Sequence, residues 1–206
     1  MENILDMLNS DLGKQVIAGI SKKTNTSSKE TASVLSSAIP AILGGLQNNT
    51  STQSGANGIL SALTSHDGGV LDNLAGFFGD SNRAAADGKG ILGHALGSQE
   101  SSIKKSISKK TGVDAGKVAQ IIAIAAPIVM GYLGKQTQTN GVSDSKGLSS
   151  LLGGLLGGNS GGSVLNAILD QNGDGKLDLS DLAGLASGQK QGGGFLGGLF
   201  GKLFGK

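Results

Sequence analysis

"ISKKTGVDAGKVAQIIAIAAPIVMGYL", residues 107–133, decides the fold, because the chain contains it twice. Its earlier copy is "ISKKTNTSSKETASVLSSAIPAILGGL", residues 20–46, at an offset of 87 with no gap. Ten of the 27 aligned positions are identical: the ISKKT block, two Ala, one Pro, one Gly and one Leu. Most of the exchanges keep polarity, as in Val34 for Ile121 and Leu43 for Met130. The match extends backwards from "ILDML" at Ile4 to "ILGHA" at Ile91. An internal repeat is one supersecondary unit used more than once, so both copies should fold alike.

Each copy reads as three helices. The first is a short apolar segment, Ile4–Leu8 or Ile91–Leu96. The second ends in the basic SKKT block. In copy two it sets Ile103 and Ile107 on one face at i and i+4. Lys109 and Lys110 lie in its last turn, where cations oppose the negative helix terminus. Gly112 follows as a C-cap candidate. Asp114 is a good N-cap for the third helix, and Ser27 stands at the matching place in copy one. Val118, Ile121, Ile122 and Ala125 form the apolar face of that helix, continued by Ile128, Val129 and Leu133. Pro40 and Pro127 interrupt it at matched positions. Interior proline removes a backbone donor, which predicts a bend or two helices meeting there. A single module of this size buries little apolar surface, so the two copies are expected to pack on each other as a pseudo-symmetric helical unit.

Composition narrows the rest. Of 206 residues, 37 are Gly and none is Cys or Trp. The apolar share is 37% and the aromatic share 3%, which calls for a core of small aliphatic side chains. Without Cys there are no disulfides, thiolate zinc sites or cysteine nucleophiles. A net charge of +2 gives no strong field toward nucleic acid or acidic partners. The N-terminus lacks the basic segment and apolar run of a secretory signal, and the run Ile121–Gly134 is short of the roughly 20 residues that span a bilayer. These readings predict a buried core helix and a cytoplasmic protein.

The segment 91–136, "ILGHALGSQESSIKKSISKKTGVDAGKVAQIIAIAAPIVMGYLGKQ", resembles the bacterial domain-of-unknown-function family numbered 937, which includes YidB-like proteins. The "ILGHALG" start, the helix-opening "TGVDAGKVAQI" and the "APIVMGYLGKQ" end carry the likeness. Residues 4–50 are a weaker copy, and "GLSSLLGGLLGG" at 147–158 is similar to the family's glycine-rich continuation. The resemblance covers about residues 1–160. It implies an all-helical fold and supplies no activity or catalytic residues.

One later stretch carries chemistry of its own. "DQNGDGKLDLSD", residues 170–181, holds four of the chain's fifteen acidic residues. Counted from Asp170, side-chain oxygens fall at positions 1, 3, 5, 9 and 12: Asp170, Asn172, Asp174, Asp178 and Asp181. Gly175 takes position 6, and Lys176 takes position 7, which contributes its backbone carbonyl. That is the ligand pattern of an EF-hand calcium loop, with glycine at the sharp turn. Position 12 is Asp where the EF-hand has a bidentate Glu, a variant similar to dockerin-type loops. The shorter side chain predicts a modest affinity, micromolar to millimolar. Val164, Leu165, Ile168 and Leu169 before the loop, and Leu182 and Leu185 after it, suit flanking helices. An Asp/Asn/Gly turn without metal is the plainer alternative.

Other features are weaker. In "GGGFLGGLFGKLFGK" the residues Phe195, Leu196, Leu199, Phe200, Leu203 and Phe204 recur at helical spacing. That amphipathic tail can serve the protein's own core, another protein or a membrane surface. The lysines of the ISKKT blocks lie beside a helix–turn–helix-like junction, which gives a DNA-associated reading as the alternative function, and the resemblance to YidB-like proteins implies a homeodomain-like form for it. The small net charge and the lack of Arg in those blocks disfavour nucleic acid. Arg83 falls in a stretch read as linker. His66 and His94 belong to no ligand-spaced cluster, and no nucleophile motif or phosphate loop is present, so no enzyme is expected. The expected architecture is all-α. A first helical module plus linker spans 1–90, and a second module spans 91–136. A Gly-rich linker takes 137–162, a single EF-hand-like helix–loop–helix 163–187, and the tail 188–206. The expected function is that of a non-enzymatic calcium-binding structural or interaction protein, with a protein partner or self-association.

Overall fold

The computed structural model describes residues 4–156. The six acidic-loop residues Asp170, Asn172, Asp174, Lys176, Asp178 and Asp181, the helix–loop–helix at 163–187 and the tail lie outside the described residues. Within them the chain is all-helical: α1 (Ile4–Asn9), α2 (Asp11–Thr24), α3 (Ser28–Asn49), α4 (Gln53–Ser65), α5 (Gly69–Asp72), α6 (Leu74–Gly79), α7 (Ser81–Leu96), α8 (Glu100–Thr111), α9 (Ala115–Thr139) and α10 (Ser145–Leu155). A 3₁₀ turn, Gly97–Gln99, joins α7 to α8.

The matched segments start and stop their helices at matched residues. Asn25 and Gly112 both take left-handed backbone at the C-caps of α2 and α8, with φ 50° and 73°. Ser27 and Asp114 cap α3 and α9. Ser27 forms a capping box with Glu30, each accepting from the other's backbone N–H at 3.1 and 2.7 Å. The Ser27 backbone N–H, then its hydroxyl, and finally the charge of Lys117 hold the Glu30 carboxyl below the usual carboxylate range. In copy two the residue at Glu30's position is Lys117, whose Nζ donates to the Asn25 carbonyl at 3.0 Å and ties the two copies together.

Helix α9 organises the interior. It is 25 residues, roughly 37 Å, and long and apolar enough to cross a membrane by length and composition alone. The window that meets this test is 72% buried among the other helices, which makes it a core helix. Helix α7 makes the most extensive contact with it, and α2, α3, α4, α5 and α8 also pack on it. α2 touches both α3 and α9, and α8 likewise touches both. Ile20, Ile42, Leu43, Ile107, Ile121 and Ile122 are fully or almost fully buried in one continuous cluster that runs from Leu8 to Leu156.

Neither proline splits its helix. α3 runs through Pro40 and α9 through Pro127. Proline nevertheless leaves the carbonyl four residues earlier without its helical donor. For Pro127 that carbonyl belongs to Ala123, and Gly88 of α7 lies directly against it: a Cβ on Gly88 would overlap the Ala123 oxygen. The Cα–H standing in place of a side chain therefore faces the deprived oxygen, a weak donor in a dry contact. Gly134 of α9 meets the His66 carbonyl at the end of α4 in the same way.

Two segments read as linkers are helical and packed. Residues 53–90 fall in α4 to α7, with Ala56, Ile59, Leu63, Leu74 and Ala84 buried, and Arg83 sits on α7. Residues 145–155 form α10, capped by Asp144, and Leu148, Leu151, Leu152 and Leu155 enter the main core. Their i, i+3, i+4, i+7 spacing makes one apolar face, which outweighs the low helix propensity of the glycines.

The corner between the second and third helices is built in two ways. In copy one a hydroxyl ladder runs through it. Thr24 Oγ1 donates to the Ile20 carbonyl at 2.9 Å, while Thr24–Thr26 and Thr26–Thr31 are each 2.8 Å apart. In copy two Thr111 repeats the bond to Ile107 at 2.7 Å, but Val113 and Val118 replace Thr26 and Thr31, and both are buried. Removing one partner of a buried hydrogen bond strands the other, whereas removing both with shape retained is nearly neutral. Thr26→Val is therefore expected to cost about 1–3 kcal/mol, and the Thr26→Val/Thr31→Val pair to return to within about 1 kcal/mol of wild type. Urea denaturation of the three proteins checks this; additive losses would contradict it. Gly88→Ala is expected to cost about 2 kcal/mol by overpacking, while Gly93→Ala, on the same helix with open space around it, should be neutral or stabilising by up to about 1 kcal/mol. Melting temperatures of the two variants report the difference.

Candidate functional site

A groove of about 690 Å³ opens between α3, α4 and α7, with α9 beneath it. Its floor is Leu46, Ile59, Ile91 and Met130, all buried. Its walls are low because small residues form them. Ser54, Gly58, Ser61 and Ser65 follow one face of α4 at helical spacing, and Gly90 faces them from α7. A Cβ on Gly58 or Gly90 would meet nothing within 4 Å. The space exists because no side chains fill it.

Polar groups sit at both ends of the groove. At one end Asn49, the last residue of α3, donates from Nδ2 to the His94 carbonyl at 2.7 Å. His94 is exposed, and its Nδ1 lies 2.8 Å from the Gly90 carbonyl within the same helix. At the other end α4 terminates at Ser65, and Asp87 of α7 stands beside it. His66, the C-cap of α4, joins the Ala62 carbonyl through Nδ1 at 2.9 Å and Asp87 Oδ2 through Nε2 at 3.1 Å. Among the described residues Asp87 is the only Asp, Glu, Lys or Arg lining the groove.

No group of three or more His, Cys, Asp or Glu that could hold a metal occurs among the described residues. The paired lysines end helices, as their sequence position implies: Lys22 and Lys23 end α2, and Lys109 and Lys110 end α8. Sequence reasoning missed the groove because its signal is an absence of bulk, in segments whose glycines read as linker.

The fold and groove define an all-helical protein built around two long proline-bearing helices, with an open cleft floored by aliphatic side chains. The family model described as "Bacterial protein of unknown function (DUF937)" matches residues 6–136, more than half of the chain, and the chain belongs to that family. The match takes in both copies of the repeat and the helices between them. No curated protein matches the chain, and no solved structure does.

Proposed function

We propose that this chain is a non-enzymatic, calcium-binding structural or protein-interaction protein. Its two repeat copies form one pseudo-symmetric helical unit, and a single EF-hand-like loop follows them. The duplication is supported by matched caps at Asn25/Gly112 and Ser27/Asp114, and by the reciprocal packing of α2 and α8 on both long helices. The calcium reading is carried by one observation: residues 170–181 place oxygen donors at every side-chain ligand position of the loop, with Gly175 at its turn. A hard cation that takes six to eight oxygens suits a donor set of four carboxylates and one carboxamide better than a smaller ion demanding rigid octahedral geometry. Asp170, Asn172, Asp174, Asp178 and Asp181 would hold calcium through side chains and Lys176 through its carbonyl. Bound calcium would offset the mutual repulsion of the carboxylates and stabilise this segment by linkage.

Titration calorimetry on the full chain is expected to give one calcium site with a micromolar to millimolar constant. Asp170→Ala/Asp181→Ala should abolish it, and Asp181→Glu should tighten it by restoring a bidentate twelfth ligand. Unchanged binding in the double alanine variant would remove the assignment. EF-hand loops work in pairs, and this chain has one, so a second copy is the natural partner. Sedimentation with calcium should then show a larger mass than with chelator, and the same mass in both would count against pairing.

A further inference from the structure

We propose that the groove between α3, α4 and α7 is the docking site of the chain's own C-terminal tail, Phe195–Phe204. The groove asks for a ligand that is apolar along one side and cationic beside it. Leu46, Ile59, Ile91 and Met130 provide an aliphatic floor, and the small residues of α4 leave no wall to fill the space above them. No Lys or Arg among the described residues lines the groove. At its Ser65 end the half-exposed Asp87 carboxylate, 3.1 Å from His66 Nε2, and the C-terminus of α4 present acceptor groups that favour a cationic or donor-bearing ligand.

The tail matches each of these demands. Phe195, Leu196, Leu199, Phe200, Leu203 and Phe204 share one face at helical spacing. Three of the five Phe in the chain lie among them, in a protein whose described core is almost wholly aliphatic. After Asp181 the sequence has no acidic residue, while Lys202 lies within the apolar set and Lys206 follows it. The chain also leaves the fold in the right place. α10 packs on α3 and α4, two of the groove's walls, and ends at Leu155. The 38 residues between Leu156 and Phe195 give a reach of up to about 130 Å, so the connection imposes no strain. The tail's glycines lower its tendency to be helical in isolation, and they also let it lie close in a shallow cleft. The docking does not depend on calcium binding at 170–181.

Disulfide trapping in the full chain tests it, since the protein has no Cys of its own. Ser61→Cys on the groove rim is paired with Gly201→Cys in the tail, and a control pairs Lys29→Cys, exposed at the start of α3, with the same tail position. Under mild oxidation the groove pair is expected to form an intrachain disulfide at least about tenfold faster than the control, as its local concentration is raised by docking. Adding Phe200→Asp and Leu203→Asp should bring its rate down to that of the control. Equal rates in the two pairs would overturn the proposal. Disulfide-linked dimers as the main product of the groove pair would also overturn it, in favour of a second copy in the cleft. Equal rates together with tail-dependent sedimentation on phosphatidylglycerol vesicles would overturn it in favour of a membrane surface.

Discussion

Gly88 against the carbonyl of Ala123 sets the distance between α7 and α9, and most of the interior is arranged around α9. The composition demands such a contact. A chain with 3% aromatic residues and no Trp has few side chains that can fill a wide space between helices. Interiors are close-packed, so small side chains require backbones that approach closely. Pro127 makes this approach specific. It deprives one buried carbonyl of its donor, and the only group that can come near enough to cover that oxygen is a helix face without a Cβ. Proline on one helix and glycine on the other thus work as a pair, although 38 residues lie between them.

What the sequence discloses and what it conceals both follow from this. Caps and apolar faces are local signals, and Gly112, Ser27, Asp114, Ile103 and Ile107 all stand where their local chemistry puts them. Glycine is not a local signal. In "GANGILSALTS" and "GLSSLLGGLLGG" the leucines and isoleucines already repeat at helical spacing, but a high glycine content reads as flexible linker. The segments fold because tertiary burial of the apolar face exceeds a propensity deficit of about 1 kcal/mol per glycine. Nothing within α4 or α10 alone shows the core they join. The groove was illegible for the same reason, since its walls are made of residues whose contribution is to be small.

The repeat shows how much freedom the common frame leaves. Both copies need a tight corner after ISKKT, and each begins it with a threonine hydroxyl bonded back to the isoleucine carbonyl four residues earlier. Beyond that bond they diverge, one to a ladder of hydroxyls and the other to Val113 and Val118. Thr and Val have nearly the same shape, so the corner keeps its form while its cohesion changes from hydrogen bonding to dispersion. The order of such a divergence matters, because exchanging Thr26 alone takes the partner from the buried Thr31 hydroxyl, whereas exchanging Thr31 leaves Thr26 its bond to Thr24. Glu30 and Lys117 diverge in another way: one caps its own helix, and the other reaches across to cap the opposite corner at Asn25.

Glycine therefore carries two opposite meanings within a single helix. On α7 Gly88 is a contact, where any added atom collides with α9, while Gly90, two residues later, borders open space. On α4 Gly58 faces the same opening. A helix turns about 100° per residue, so two positions apart means nearly opposite faces. One face of α7 is held against the core by its lack of a side chain, and the other leaves a cleft for the same lack. The closeness that stabilises the small-residue core and the groove that invites an apolar ligand are thus consequences of one compositional choice. The large apolar side chains withheld from these helices are concentrated in the tail at Phe195, Phe200 and Phe204, together with Lys202 and Lys206.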